Sequence, residues 1–336
     1  MKSNVLKPFL KIVPLLLILL WACSKDRSIF LTPEQLKPVE PVVTLKDENF
    51  VRADASLLVN LQTKPTKMTI TTTAQLPLIG PKGTKIWIYP NDLEKADGTR
   101  AGYPIDVELV ELYTPKDMIL NRMPTVSDER LLTTGGELYI KASYKGEELK
   151  VSYFSNFKIE IPAKNPDPKM SLFVGEQSFT GQTETPFVNW RASKDSIRVL
   201  GKVDSLQQRP RETPVLIAGK EVYQLFPTTL GWINCDKFSN FTGPKTRMKF
   251  TSSVPNIEKI YTYLYFDRIR SIMRVYGDTS GEVPVTEHVK VVCFAVTTEK
   301  EVFLFTKELN VEPDQKIEIL LNKVSEAELL TYLSGL

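Results

Sequence analysis

The sequence predicts an all-β protein: two or three β-sandwich (Ig-like) units in tandem, closed by a short C-terminal helix. Two observations carry this reading. Apolar residues alternate with polar ones in short runs, as in Ile105, Val107 and Leu109 against Asp106 and Glu108, the period of a strand with one buried face. The breaks between runs are turn chemistry (Asp97-Gly98, Gly135-Gly136, Lys145-Gly146), with no intervening helical periods to suggest an α/β sheet.

Taken in order, residues 23–66 carry Pro33, Pro38 and Pro41 among charged side chains and read as a tether, semi-rigid where proline is dense. Within it Thr32-Pro33-Glu34-Gln35 has the chemistry of a short helix start. Residues 67–163 form the first β unit. Leu138, Ile140 and Ala142 alternate with Glu137, Tyr139 and Lys141, and Phe157, Ile159 and Ile161 with Lys158 and Glu160. At Gly135-Gly136 a strand–turn–strand passage is expected, with at least one glycine at positive φ. Asn165-Pro166-Asp167-Pro168 marks a boundary, since two prolines in four residues cannot sit in a central strand. A middle β segment, 164–244, includes Ser196–Val199 and Val222–Phe226, and a third unit, 245–336, has apolar strands at 289–297, 301–306 and 316–321. Ile257–Val275 fits a helix by spacing, but its aromatic content favours strand. Ser325-Glu326-Ala327-Glu328 is a capping box that opens the closing helix.

The first 22 residues behave as an export signal. Lys2, Lys7 and Lys11 precede an apolar run, Ile12–Ala22, too short to span a bilayer as a helix. The ending Leu20-Trp21-Ala22-Cys23 resembles the lipobox of bacterial lipoproteins, which implies that Cys23 is lipidated and begins the mature chain. Ser24 favours the outer membrane by the usual lipoprotein sorting pattern; the periplasmic or surface face stays open. Losing the three signal lysines takes the 43 basic side chains to 40, equal to the 40 acidic ones. A neutral chain lacks the positive field on which nucleic-acid binding depends.

Three further stretches carry a family resemblance: Asp97-Gly98-Thr99 with Ile105–Leu109; Met118-Ile119-Leu120 and Pro124-Thr125 with Thr134–Ala142; and Leu230-Gly231-Trp232-Ile233-Asn234-Cys235-Asp236. Together they resemble a family of uncharacterised envelope lipoproteins of Bacteroidetes-type bacteria. The resemblance implies an extracytoplasmic β-domain protein on a lipid anchor and transfers no catalytic residue.

The chemistry-bearing residues point away from catalysis. With one histidine, His288, a two-histidine zinc site is excluded, and Cys235 with Cys293 cannot make a four-cysteine site, so no metal or other cofactor is expected. Gly277-Asp278-Thr279-Ser280-Gly281 lacks the nucleophile-elbow spacing. A Cys235–His288 pair needs an electropositive, partly exposed thiol. Cys235 and Cys293 are either a disulfide of an oxidising compartment or two buried free thiols. Asp92–Gly98 is similar to an acidic calcium loop but departs from its spacing, and reads as a turn. Trp87 and Tyr89 share a strand face opposite Ile86 and Ile88; they are read as sandwich core, the alternative being an exposed sugar-stacking pair, and Trp190 and Trp232 are read the same way. Arg268, Arg270 and Arg274 fall on one face if their segment is a single strand. Asp195-Ser196-Ile197 and Asp204-Ser205-Leu206 match a short O-glycosylation pattern at Ser196 and Ser205. The expected function is a lipid-anchored, non-catalytic structural or binding protein of the envelope, partnered by the membrane and by an envelope protein or glycan. The alternatives are a carbohydrate-binding surface module and a glycoside hydrolase built on two carboxylates across a cleft.

Overall fold

The alternating runs fold as strands. The computed structural model describes residues 50–53, 57–164, 166–178, 187–193, 222–254 and 256–336; the Thr32–Gln35 helix start and the Ser196–Val199 strand fall outside them. The protein is mostly antiparallel β-sheet with a short C-terminal helix, consistent with β-sandwich units.

The first sandwich faces an eight-stranded sheet with a four-stranded one. The larger runs in the order Phe187–Ala192, Ser171–Ser178, Gly231–Phe238, Arg130–Tyr144, Ile105–Leu112 and Thr66–Ile70; Val126–Ser127 and Glu147–Glu148 add to Arg130–Tyr144. The smaller is Val222–Leu225, Lys158–Pro162, Lys85–Trp87 and Leu78–Ile79. Their inner faces interdigitate through Val107, Leu109, Leu138, Ile140, Ile86, Ile159 and Leu225, the apolar halves of the period-2 runs. Asp106 and Glu108 point outward, Asp106 accepting from Thr69 Oγ1 at 2.7 Å and Glu108 lying 3.5 Å from Lys67.

The second sandwich pairs a six-stranded sheet with a three-stranded one. Ser271–Val275, Tyr261–Phe266, His288–Thr297, Val302–Asn310 and Asn322–Val324 form the first, with Phe50–Val51 also on His288–Thr297. Thr279–Pro284, Lys245–Ser252 and Lys316–Ile319 form the second, the last two parallel. Met248, Phe250, Leu264, Val291, Cys293 and Ile317 fill the space between them. The aromatic segment 261–275 is indeed strand, but as a hairpin: a 3-10 turn at Asp267–Ile269 and Arg270 at φ 49° separate Tyr261–Phe266 from Ser271–Val275. The single arginine face is therefore corrected. Arg268 and Arg270 sit at the turn, and only Arg274 is on a strand, its guanidinium 4.4 Å from the Tyr261 ring and 4.7 Å from that of Tyr276.

A third core joins the two sandwiches. Val110, Leu112, Leu132, Phe173 and Trp190 from the eight-stranded sheet meet Tyr261, Tyr263, Ile272, Val292 and Phe294 from the six-stranded sheet. Three helices fill the gaps: Leu57–Leu61, Pro115–Asn121 and Glu326–Ser334, contributing Leu58, Ile119, Leu329 and Leu333 among others. The capping box holds as expected, Glu328 N donating to Ser325 Oγ at 3.2 Å and Ser325 N to Glu328 Oε2 at 2.7 Å. The described residues of Leu45–Leu336 group as one unit; the eight-stranded sheet draws on both 67–163 and 164–244, whereas the second sandwich is built from 245–336 apart from Phe50–Val51. Strands 171–178, 187–192 and 231–238 complete the sheet begun by 66–144, and Phe50 pairs with Thr297 inside what reads as tether.

The glycine pair at 135–136 is not a turn. Arg130–Tyr144 runs straight through it as one strand, and the register steps from Thr134↔Asp236 to Glu137↔Asn234, so two glycines oppose Cys235 alone. This β-bulge reverses which side chains face inward. Leu132 enters the central core, whereas Leu138, six residues on, enters the first sandwich. Gly136 does take positive φ, 135°, as expected. A Cβ there would lie 2.6 Å from Tyr113 Cδ1, and one at Gly135 2.9 Å from both the Cys235 carbonyl oxygen and Tyr223 Cε2. Neighbouring protein, not a ligand, fills the space the glycines leave. Gly136→Ala is expected to cost about 1–3 kcal/mol, as strained backbone in a packed site does, and Gly135→Ala is also expected to destabilise; urea midpoints of the full chain check both, and unchanged midpoints contradict the bulge account.

Candidate functional site

The two cysteines lie in different cores, Cys235 in the first sandwich and Cys293 in the second, both buried and both free. The disulfide alternative is thereby corrected in favour of two buried thiols, and burial pushes the Cys293 thiol up to about 12 and that of Cys235 well above its ordinary value. Neither is a poised nucleophile. His288 does not meet Cys235: its Nδ1 lies 3.2 Å from Asp267 Oδ1 and its Nε2 3.9 Å from Glu308 Oε2, on the six-stranded sheet. Cys23, Ser196 and Ser205 lie outside the described residues.

Two acids are fully buried: Glu137, which reads as the polar phase of an alternating strand, and Asp236. Glu137 opposes Asn234 across strands, and Asp236 follows two residues along the same strand as Asn234. Asn234 Nδ2 donates to Asp236 Oδ2 at 2.6 Å and Thr134 Oγ1 to Asn234 Oδ1 at 3.3 Å. Among the described residues no donor reaches Glu137 Oε1 or Oε2, or Asp236 Oδ1. Burial, then the neighbouring Asp236 and Asp117, raise the Glu137 carboxyl well above the usual range, and burial likewise raises Asp236. These are closed-off acids to which no sugar has access.

A cleft of about 320 Å³ opens where the eight-stranded sheet meets the three-stranded one, lined by Asp128, Glu129, Arg130, Lys245, Arg247 and Glu282 among others. Asp128 (φ 45°) and Glu129 (φ 62°) form its rim as the two central residues of a tight hairpin, positions that favour Asn-Gly. Asp128 N donates to Asn189 Oδ1 at 3.0 Å and Asn189 Nδ2 returns a bond to Asp128 Oδ1 at 2.8 Å. Arg191 lies 3.2 Å from Asp128, and Arg247 donates to Glu129 at 2.8 Å and to the Ser280 carbonyl at 3.1 Å. Of the cleft's acids, Asp128 and Glu129 are each held by a guanidinium, and Glu282 lies 3.7 Å from the Lys245 ammonium.

The aromatic face is the third feature. Ile86 and Ile88 are the buried pair; Trp87 is half-buried with Lys158 Nζ 3.6 Å from its ring centre, and Tyr89 is exposed. Reading Trp87 and Tyr89 as sandwich core is therefore corrected, whereas Trp190 is core, its Nε1 donating to the Pro124 carbonyl at 2.9 Å, and Trp232 packs half-buried on Tyr139. Beside Tyr89 lies the turn Ser152-Tyr153-Phe154-Ser155, closed by Ser155 N to Ser152 O at 3.2 Å. The buried Asp92 ties the two together: Oδ2 accepts from Tyr89 N at 2.8 Å, Oδ1 from Asn156 N at 2.6 Å, and its carbonyl from Ser152 N at 2.8 Å. The former calcium-loop segment is thus a structural turn, with Glu94 3.2 Å from Lys150 and Asp97 accepting from Thr99 N at 2.8 Å. Neither a family model nor a curated protein sequence matches the chain.

The buried acids make stability depend on pH with a definite sign. Below 4.5, the ordinary value for Glu137, folded and unfolded chains both carry the proton. Above it the unfolded chain releases the proton while the folded one retains it, so stability falls as pH rises toward the raised folded value. Glu137→Gln is expected to flatten this decline, gaining on the native chain as pH rises from about 4.5 to about 8; urea midpoints measured across that span check it. A parallel decline in both chains contradicts the protonated-acid reading.

Proposed function

We propose that the chain is an envelope protein held on a lipid at Cys23, serving a binding or structural role without catalysis. The Leu20-Trp21-Ala22-Cys23 ending behind a lysine-flanked apolar run carries this reading. The chemistry of the folded unit supports the non-catalytic half. Its thiols are buried with raised pKa, the cleft carboxylates are each paired with a basic side chain, and Glu137 and Asp236 are sealed in a core. Ser24 favours the outer membrane as the site of anchoring. The second reading, a carbohydrate-binding surface module, is favoured by the exposed aromatic residues around Asp92.

Acyl chains contribute about 0.8 kcal/mol per buried CH₂ and should dominate membrane affinity. Cys23→Ser is expected to abolish palmitate labelling and to release the chain from the membrane fraction or leave it uncleaved; unchanged labelling and fractionation contradict the anchor. The same chain, screened with ester, peptide and glycoside substrates, is expected to give no turnover above buffer. Turnover lost on substituting one Asp or Glu would promote the carboxylate-hydrolase alternative instead.

A further inference from the structure

Tyr153 and Phe154 are the most exposed of the large apolar side chains described, at 73% and 83%. They occupy the two central positions of a tight turn, and every neighbouring anchor is fixed. Ser152 N and Asn156 N both bind Asp92, Ser152 Oγ donates to the Asn91 carbonyl at 3.1 Å, and Phe157 N donates to Ser155 Oγ at 2.9 Å before the Phe157 ring enters the core. The two rings meet edge to face, centroids 4.9 Å apart and planes at 88°. Tyr89 is bound to the same Asp92 carboxylate and is 36% exposed. A fixed turn that displays two rings to water exposes apolar surface at a cost that a mere connection would avoid. Rigid aromatics also bind with little loss of side-chain freedom.

The polar neighbours indicate the occupant. Arg100 Nη1 donates to Asn91 Oδ1 at 3.0 Å, which places a planar amide and a planar guanidinium beside the turn that Asn91 supports. Ring faces suit the apolar C–H face of a pyranose, while an amide and a guanidinium suit its hydroxyl or carboxylate edge. A bilayer fits less well. Surface insertion of an aromatic tip is helped by unpaired cations, yet Lys150, two residues before the turn, is engaged by Glu94 at 3.2 Å, and Lys95, from the neighbouring strand segment, by Glu147 at 3.9 Å.

We infer that Tyr89, Tyr153 and Phe154, set around Asp92 with Asn91 and Arg100 at their edge, form a glycan-binding site. This deepens the binding role proposed above and rests on it.

The test uses the full chain in detergent micelles, run through native gels cast with dextran, mannan, xylan, laminarin or polygalacturonate. At least one polysaccharide is expected to retard it. Tyr153→Ala and Phe154→Ala, both at exposed positions, should each weaken that retention about tenfold, and Arg100→Ala several-fold. Leu320→Ala, an exposed apolar position elsewhere, should leave it unchanged. Absence of retardation by every polysaccharide overturns the site, as does retention that survives loss of both rings. Two further outcomes also overturn it by naming another occupant. One is vesicle co-sedimentation of the Cys23→Ser chain, on phosphatidylethanolamine and phosphatidylglycerol, that depends on the two rings. The other is a dimer in sedimentation velocity that their loss dissociates. The anchor and the site fail separately: a Cys23→Ser chain that stays in the membrane fraction leaves gel retention intact, and a gel without retardation leaves the fractionation result intact.

Discussion

The central core on which two sheets turn their backs sets the terms for the rest of the structure. In an ordinary two-sheet sandwich each sheet buries one face and wets the other. Here the eight-stranded and six-stranded sheets bury their second faces against each other and against three short helices. The consequences are visible residue by residue. Tyr261–Phe266 is buried at all six positions, and Val291–Val296 likewise, so neither shows an alternating pattern. The long strand 130–144 must serve both cores, and the two-glycine bulge is the device that shifts its side chains from one to the other. The same second burial encloses Glu137 and Asp236, whose strand positions would otherwise be wet.

This arrangement explains which parts of the fold were legible in the amino-acid sequence. Ile105–Leu109 alternated cleanly because its second face there carries Asp106 and Glu108 to solvent. The C-terminal helix was legible because a capping box is a local signal. The helix Pro115–Asn121 carries an equally local signal, Thr114 as N-cap, proline at N1 and Asp117 accepting from Thr114 N at 3.0 Å, and a search for that pattern would have found it. The domain boundaries were not legible. The prolines of 165–168 do break the strand pattern, yet the Asp167 carboxylate accepts from Lys237 and its backbone N–H donates to the Tyr223 hydroxyl at 2.8 Å, tying the break to two strands of the same sandwich. Pairings between residues this far apart leave no periodicity behind.

The candidate sites were legible in composition and misplaced in orientation. Ile86-Trp87-Ile88-Tyr89 is apolar on both phases, so period 2 says that two faces exist without saying which is inside. β-branched packing against Ile159 and the sheet partner decides it, and the rings go outward. Tyr153-Phe154 carried no sequence signal beyond two aromatics between Val151 and Phe157; its meaning comes from Asp92, which lies 61 positions before Tyr153 in the chain and holds the turn from beneath. Glu137 reads as the polar phase of an alternating strand because a sequence does not reveal that a second sheet covers the first.

The claim that one central core fuses both sandwiches into a single unit is tested most directly by differential scanning calorimetry of the full chain. A single transition whose calorimetric and van't Hoff enthalpies agree is the expected result, since neither sandwich can unfold without stripping a face from the other. Two resolved transitions, one shifted by a substitution at Ile140 in the first sandwich and the other by a substitution at Val291 in the second, would contradict it.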